Sequence, residues 1–148
     1  MMRVMFNKKR VYLDYAAATP LSKVAISAMQ KVMKESYANP SAIHAEGAKA
    51  RILVEHARKK VAEAVQIRPE YVTFTSGGTE SNNIAILGLV EELRKEGRAY
   101  TDMEILTTKI EHPSVTNAVH SLEKKGVVVK YLPVKSDGKV VVQELEGL

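Results

Sequence analysis

The chain has 148 residues, 45% hydrophobic and 26% charged, with a formal net charge of +5. That length suffices for one domain with a real core. The absence of cysteine excludes disulfides, thiolate metal sites and a cysteine nucleophile within the chain. Lysines and arginines are scattered among glutamates, no basic run is interleaved with aromatics and there is no Trp, so the charge reads as a solvated surface and no nucleic-acid partner is expected. The opening MMRVMFNKKR carries charge with no apolar stretch behind it, and no run approaches membrane-spanning length. A cytoplasmic protein without membrane contact is therefore expected.

Val11 to Tyr15 reads as a short strand, broken by Ala16-Ala17-Ala18-Thr19-Pro20. A helix follows with Ala25, Ala28, Met29, Val32 and Met33 at helical spacing, the two methionines serving as core filler. Ser36 to Ile43 is a loop, since Asn39-Pro40 disfavours helix at Asn39. A long helix begins near Ala45, carries Ala50, Leu53, Val54, Ala57, Val61, Ala64 and Val65 on one face, and ends near Gln66.

Tyr71 to Val90, YVTFTSGGTESNNIAILGLV, reads as strand, tight turn and helix, and the rest of the chain is arranged around it. The helix runs to about Glu96, where Gly97 supplies a C-terminal cap. The turn Ser76-Gly77-Gly78-Thr79 brings small residues, hydroxyls and the first unpaired amides of a helix to one place. Such a turn suits a phosphate or carboxylate. It suits equally a tight connection with a good cap. It is neither a P-loop nor GxGxxG, because the spacing differs.

Glu104 to Thr108 is the next strand, and Pro113 opens a helix with Val115, Ala118, Val119 and Leu122 as its apolar stripe and Gly126 as its stop. Val127 to Val134 is a strand, Asp137-Gly138 a turn, and Val140 to Leu148 begins a further element. The alternation predicts an α/β arrangement with mainly parallel strands. Ligands in such sheets sit beyond the carboxyl ends of the strands, which puts the Ser76 to Gly78 turn and His112 on one rim. Of the four histidines, His56 and His120 read as helix-surface residues, and no neighbouring pair has metal spacing. His112 stands at a strand-to-helix turn, where stacking on a flat cofactor, moving protons and capping the following helix all fit.

Four segments together resemble one family, the class V aminotransferase group of pyridoxal-phosphate enzymes, and within it the cysteine desulfurases of the NifS and IscS kind. They are Tyr12 to Pro20, Asn39-Pro40-Ser41 with His44, Phe74 to Asn83, and Glu111-His112. The resemblance implies the large domain of a fold type I pyridoxal-phosphate transferase, a mainly parallel sheet flanked by helices, with residues 1–20 as an N-terminal segment and 21–148 as the N-terminal part of that domain. It implies that Gly78 and Thr79 hold the cofactor phosphate and that His112 stacks on the pyridine ring and shuttles protons. Asn39 to His44 matches a loop near the active-site entrance and the dimer partner. Gly78 stands where the family often has Ala.

By the same resemblance, the reaction is L-cysteine to L-alanine with persulfide sulfur passed to iron-sulfur assembly or tRNA thiolation, in a homodimer that meets a sulfur-acceptor scaffold protein. The family's Schiff-base lysine, its pyridine-pairing aspartate and its sulfur-receiving loop cysteine match nothing before Leu148. Lys109 does not match the lysine position. These 148 residues by themselves are therefore expected to have no desulfurase activity unless a complementing C-terminal chain supplies those groups. Selenocysteine lyase or another class V member fits the motifs nearly as well, and a non-catalytic α/β anion-binding or interaction module is the reading from a different class.

Overall fold

The computed structural model describes residues 10–142, which form two compact units divided between Val72 and Thr73. The first unit holds two helices. α1 spans Lys23–Glu35, with the Ser22 hydroxyl accepting from the Ala25 amide at its start. α2 spans Ala45–Val65 and ends on Gln66, whose left-handed backbone (φ 58°) closes the last turn, as the sequence predicts. A 3₁₀ turn over Pro69–Tyr71 follows, and the Arg58 guanidinium donates to the Val72 carbonyl from the side of α2.

The apolar stripes of these helices are present but largely uncovered. α1 buries no residue: Met29 is 46% and Met33 67% exposed, so the methionines are not core filler. α2 buries only Gly47, Ala50 and Ala62, while Leu53, Val61 and Val65 remain exposed. Helical periodicity selects a face, but burial needs an element laid against it.

The second unit is an α/β unit. α3 spans Gly78–Lys95, β1 Glu104–Thr108, α4 Pro113–Glu123 and β2 Val128–Leu132. β1 and β2 pair in parallel, Glu104 opposite Val128 through Thr108 opposite Leu132, with α4 as the crossover between them. Both long helices end as the sequence predicts. Gly97 (φ 97°) and Gly126 (φ 105°) take the left-handed conformation beyond α3 and α4, and the next amides, Arg98 and Val127, donate back to Leu93 and Leu122 carbonyls. The core joins α3, α4 and the sheet through Val90, Met103, Leu122 and Val127, with Ile86, Leu87, Leu93, Tyr100 and Ile105 packed around them.

Two expected strands are absent among the described residues. Val11 to Tyr15 is irregular and ends in a turn in which the Ala17 and Ala18 amides donate to the Asp14 carbonyl. Val72 to Thr75 forms no strand; Val72 has extended backbone as the residue that follows the 3₁₀ turn, and Tyr71 belongs to that turn. A strand requires a ladder partner, and β-propensity alone supplies none. The second strand of the parallel pair is shorter than the Val127 to Val134 run. Beyond it the chain turns at Asp137-Gly138, so that Val134 and Val140 form an isolated antiparallel bridge. Of the element expected from Val140 onward, residues 143–148 lie outside the described residues.

Candidate functional site

The site lies in the second unit, where the N-termini of α3 and α4 border one cavity of about 310 Å³ lined by Gly78, Thr79, Asn82, His112 and Ser114. The chain reaches α4 from a strand and α3 from an irregular segment. For α4 this is β1, which ends at Thr108, and for α3 it is the irregular run ending at Thr75. The two helix starts expected on one rim thus border one cavity, with an irregular segment in place of one strand.

The α3 wall is built for donors. Gly77 is the N-cap and supplies no side-chain cap bond to the first amides. A Cβ placed on Gly77 or Gly78 would meet nothing within 4 Å, so the backbone there faces open space. Glu80 turns away from the cavity, its Oε2 accepting from the Ser76 amide at 2.6 Å and from the Ser76 hydroxyl at 2.7 Å. Those two bonds, the amide first, hold the Glu80 carboxyl below the usual glutamate range. The turn is braced further by Thr75 Oγ1 and Ser81 Oγ at 2.7 Å. Asn83 donates to the Thr79 carbonyl at 2.8 Å, away from the Asn82 face.

The α4 wall is His112 and what holds it. His112 is the N-cap of α4, with Pro113 at the first helical position, where its missing N–H costs nothing. Its Nδ1 accepts from the Ser114 amide at 3.1 Å and stands 2.8 Å from Ser114 Oγ. Asn82 on α3 donates to that same Oγ at 2.8 Å, a side-chain bond that ties the two walls together. On the approach from β1, Thr108 Oγ1 donates to Glu111 at 2.9 Å.

Gly78, Thr79 and His112, the three residues predicted for the site, therefore share one cavity. Asn82 and Ser114 share it too and were not singled out in the sequence. Their signal is positional: Asn82 is one helical turn past Gly78 and Thr79, and Ser114 is the second residue of α4, whose amide an N-cap side chain reaches. His56 and His120 are exposed on α2 and α4, as expected. Asn39, Ser41 and His44 lie in the first unit. There the Ser41 amide donates to Asn39 Oδ1 at 2.9 Å, and His44 caps α2 by accepting from the Gly47 amide at 3.3 Å. Lys109 lines a different cavity, with Ile110, Tyr131, Leu132, Pro133 and Val134, and its Nζ is 5.7 Å from the Tyr131 ring centroid. No helix among the described residues is long and apolar enough to cross a membrane.

The family described as aminotransferase class-V matches residues 11–148. The chain is 45% identical over 139 residues to the cysteine desulfurase IscS of Dictyoglomus turgidum, a match that covers 94% of this chain and 34% of that protein. Among solved structures, a NifS-like protein superposes with a TM-score of 0.83 at 37% identity, covering 95% of this chain and 37% of its own length. SspA in complex with cysteine follows with a TM-score of 0.78 at 38% identity, covering 92% and 38%. The chain spans about a third of the length of the curated relatives it matches. Class-V aminotransferases are pyridoxal-phosphate enzymes. With the motifs in order, the parallel sheet flanked by helices and the matched residues in agreement, this chain belongs to the class-V aminotransferase family, as an N-terminal portion homologous to the cysteine desulfurases.

Proposed function

We propose that this chain supplies the phosphate-gripping and ring-facing part of a pyridoxal-phosphate-dependent cysteine desulfurase. The observation that carries the reading is the single cavity bordered by the first turn of α3 and the N-cap histidine of α4. The donor set fits the cofactor: open backbone at Gly78, the Thr79 hydroxyl and no carboxylate on the lining. When bound, pyridoxal phosphate supplies the electron sink that such chemistry requires. The Gly78 and Thr79 amides and the Thr79 hydroxyl hold the phosphate, helped by the positive end of the α3 dipole. With the cofactor bound, His112 on the cavity lining would stack on its ring and move a proton at an imidazole nitrogen.

The substrate in this reading is L-cysteine, converted to L-alanine, with the sulfur leaving as persulfide for iron-sulfur assembly or tRNA thiolation. A cysteine-bound structural neighbour supports that substrate class. The working enzyme is a cytoplasmic homodimer that hands sulfur to an acceptor protein, and the Schiff-base lysine, the pyridine-pairing aspartate and the sulfur-receiving cysteine come from outside these 148 residues.

The test is made on the protein as isolated from its source, in whatever length or assembly it occurs. It is expected to release alanine from L-cysteine faster than from other amino acids. A preparation that retains pyridoxal phosphate and yields no alanine would overturn the desulfurase reading. Residues 1–148 alone are expected to bind the cofactor reversibly, and borohydride is expected to trap no single stoichiometric lysine adduct, since Lys109 lines another cavity. One such adduct would sink the assignment of the lysine to another segment.

A further inference from the structure

A backbone N–H can only donate, so the 3.1 Å contact from the Ser114 amide requires a lone pair on His112 Nδ1. The Ser114 hydroxyl lies 2.8 Å from the same nitrogen and itself receives the Asn82 side-chain amide at 2.8 Å. With Asn82 donating into Oγ, the hydroxyl hydrogen is left to point at Nδ1. Every hydrogen in the chain from Asn82 through Ser114 to His112 then runs one way. An Nδ1–H tautomer would face the amide hydrogen of Ser114 and lose that bond, and its own hydrogen would compete with Asn82 for the Ser114 oxygen.

We infer that Asn82 and Ser114 are positioning residues that hold the neutral His112 ring as its Nε2–H tautomer, so that proton exchange between this ring and a ligand in the cavity passes through Nε2. Which nitrogen of a histidine carries the proton is set by the bond the other one makes. Ser114 is buried and Asn82 half-buried, so bonds left unmade there are costly and the arrangement is a firm one. The link also spans two helices. Asn82 belongs to α3, the helix whose first turn carries Gly78 and Thr79, so the same bond sets the ring against the anion-binding turn. The role of the tautomer rests on the proposed function, whereas the tautomer itself does not.

The experiment is long-range proton-nitrogen correlation NMR on the protein labelled at histidine nitrogen, with His112 assigned by its loss in His112→Gln. The sequence holds only four histidines, so the spectrum is simple. Wild type is expected to show His112 protonated at Nε2. Ser114→Ala is expected to lower the Nε2–H to Nδ1–H ratio roughly fivefold, the worth of about one hydrogen bond, and Asn82→Ala to lower it by less. The His44, His56 and His120 signals should not move, which reports an intact fold. In the protein that turns over cysteine, Asn82→Ala is expected to lower kcat roughly fivefold, by the same one bond, with KM unchanged. An Nδ1–H ring or an even mixture in wild type, or a ratio unchanged in both variants, overturns the inference. A protein that binds no pyridoxal phosphate yet shows the Nε2–H pattern refutes the functional reading and leaves the tautomer standing.

Discussion

Leu122→Ala tests whether α4 is held to α3 and the sheet in the way described. Leu122 has no exposed surface and sits in the cluster with Val90, Met103 and Val127, with Ile86, Leu87, Leu93 and Ile105 around it. Truncation removes the transfer energy of the deleted carbons and leaves a cavity whose walls come from two helices and a strand, so little collapse is available. A cost of about 3 to 4 kcal/mol follows. With a urea m-value of about 2 kcal/mol/M, the unfolding midpoint falls by about 1.5 M or somewhat more. Leu89 is the control: it lies on α3, is 62% exposed, and its truncation is expected to cost less than about 1 kcal/mol. Equilibrium unfolding followed by far-UV circular dichroism reads both variants. A Leu122→Ala loss below about 1 kcal/mol, or one equal to that of Leu89→Ala, would refute the packing of α4 and with it the support of His112.

Two further outcomes concern the α3 turn. Thr79→Val keeps the branched shape and removes the hydroxyl, so pyridoxal phosphate affinity is expected to fall about tenfold, the worth of one hydrogen bond to a charged group. Fluorescence titration measures it, and an unchanged Kd removes Thr79 from the phosphate site. Glu80 has its carboxyl held low by the Ser76 amide and hydroxyl, so its stabilising contribution is fully present above the ordinary glutamate range and is lost as pH falls through the depressed folded value. The thermal midpoint of wild type should therefore exceed that of Glu80→Gln at neutral pH, and the gap should close in acid. A gap constant down to about pH 3 would contradict the assignment.

How much of this was legible in the sequence depends on how local the deciding physics is. β1 was read to the residue and α4 to its first residue, because a β-branched run and a proline at the first helical position are local signals. That the Ser76 to Gly78 turn and His112 fall on one rim was legible from the strand-end rule, although only one of the two strands it assumed forms among the described residues. Thr79 came from the family resemblance. The strands expected at Val11 and Tyr71 failed because pairing depends on a neighbour no local pattern names. The stripes of α1 and α2 were seen, but their lack of cover was not. The Asn82 to Ser114 bond joins positions 32 apart and depends on how two helix ends approach, a quantity that periodicity does not carry.

The parallel pair with α4 between its strands has a kinetic meaning. Its contacts close over a short stretch, residues 104–132, so little loop entropy is lost in forming it, and it is the natural first cooperative unit of this half of the chain. The amides of β2 and the interior of α4 then exchange with solvent last, and His112 is borne on the rim of the slowest-opening element. The first amides of α3 lack intrahelical acceptors and exchange early. In the proposed function, one half of the cavity is set before the cofactor binds, and binding is expected to show as protection gained at the first amides of α3.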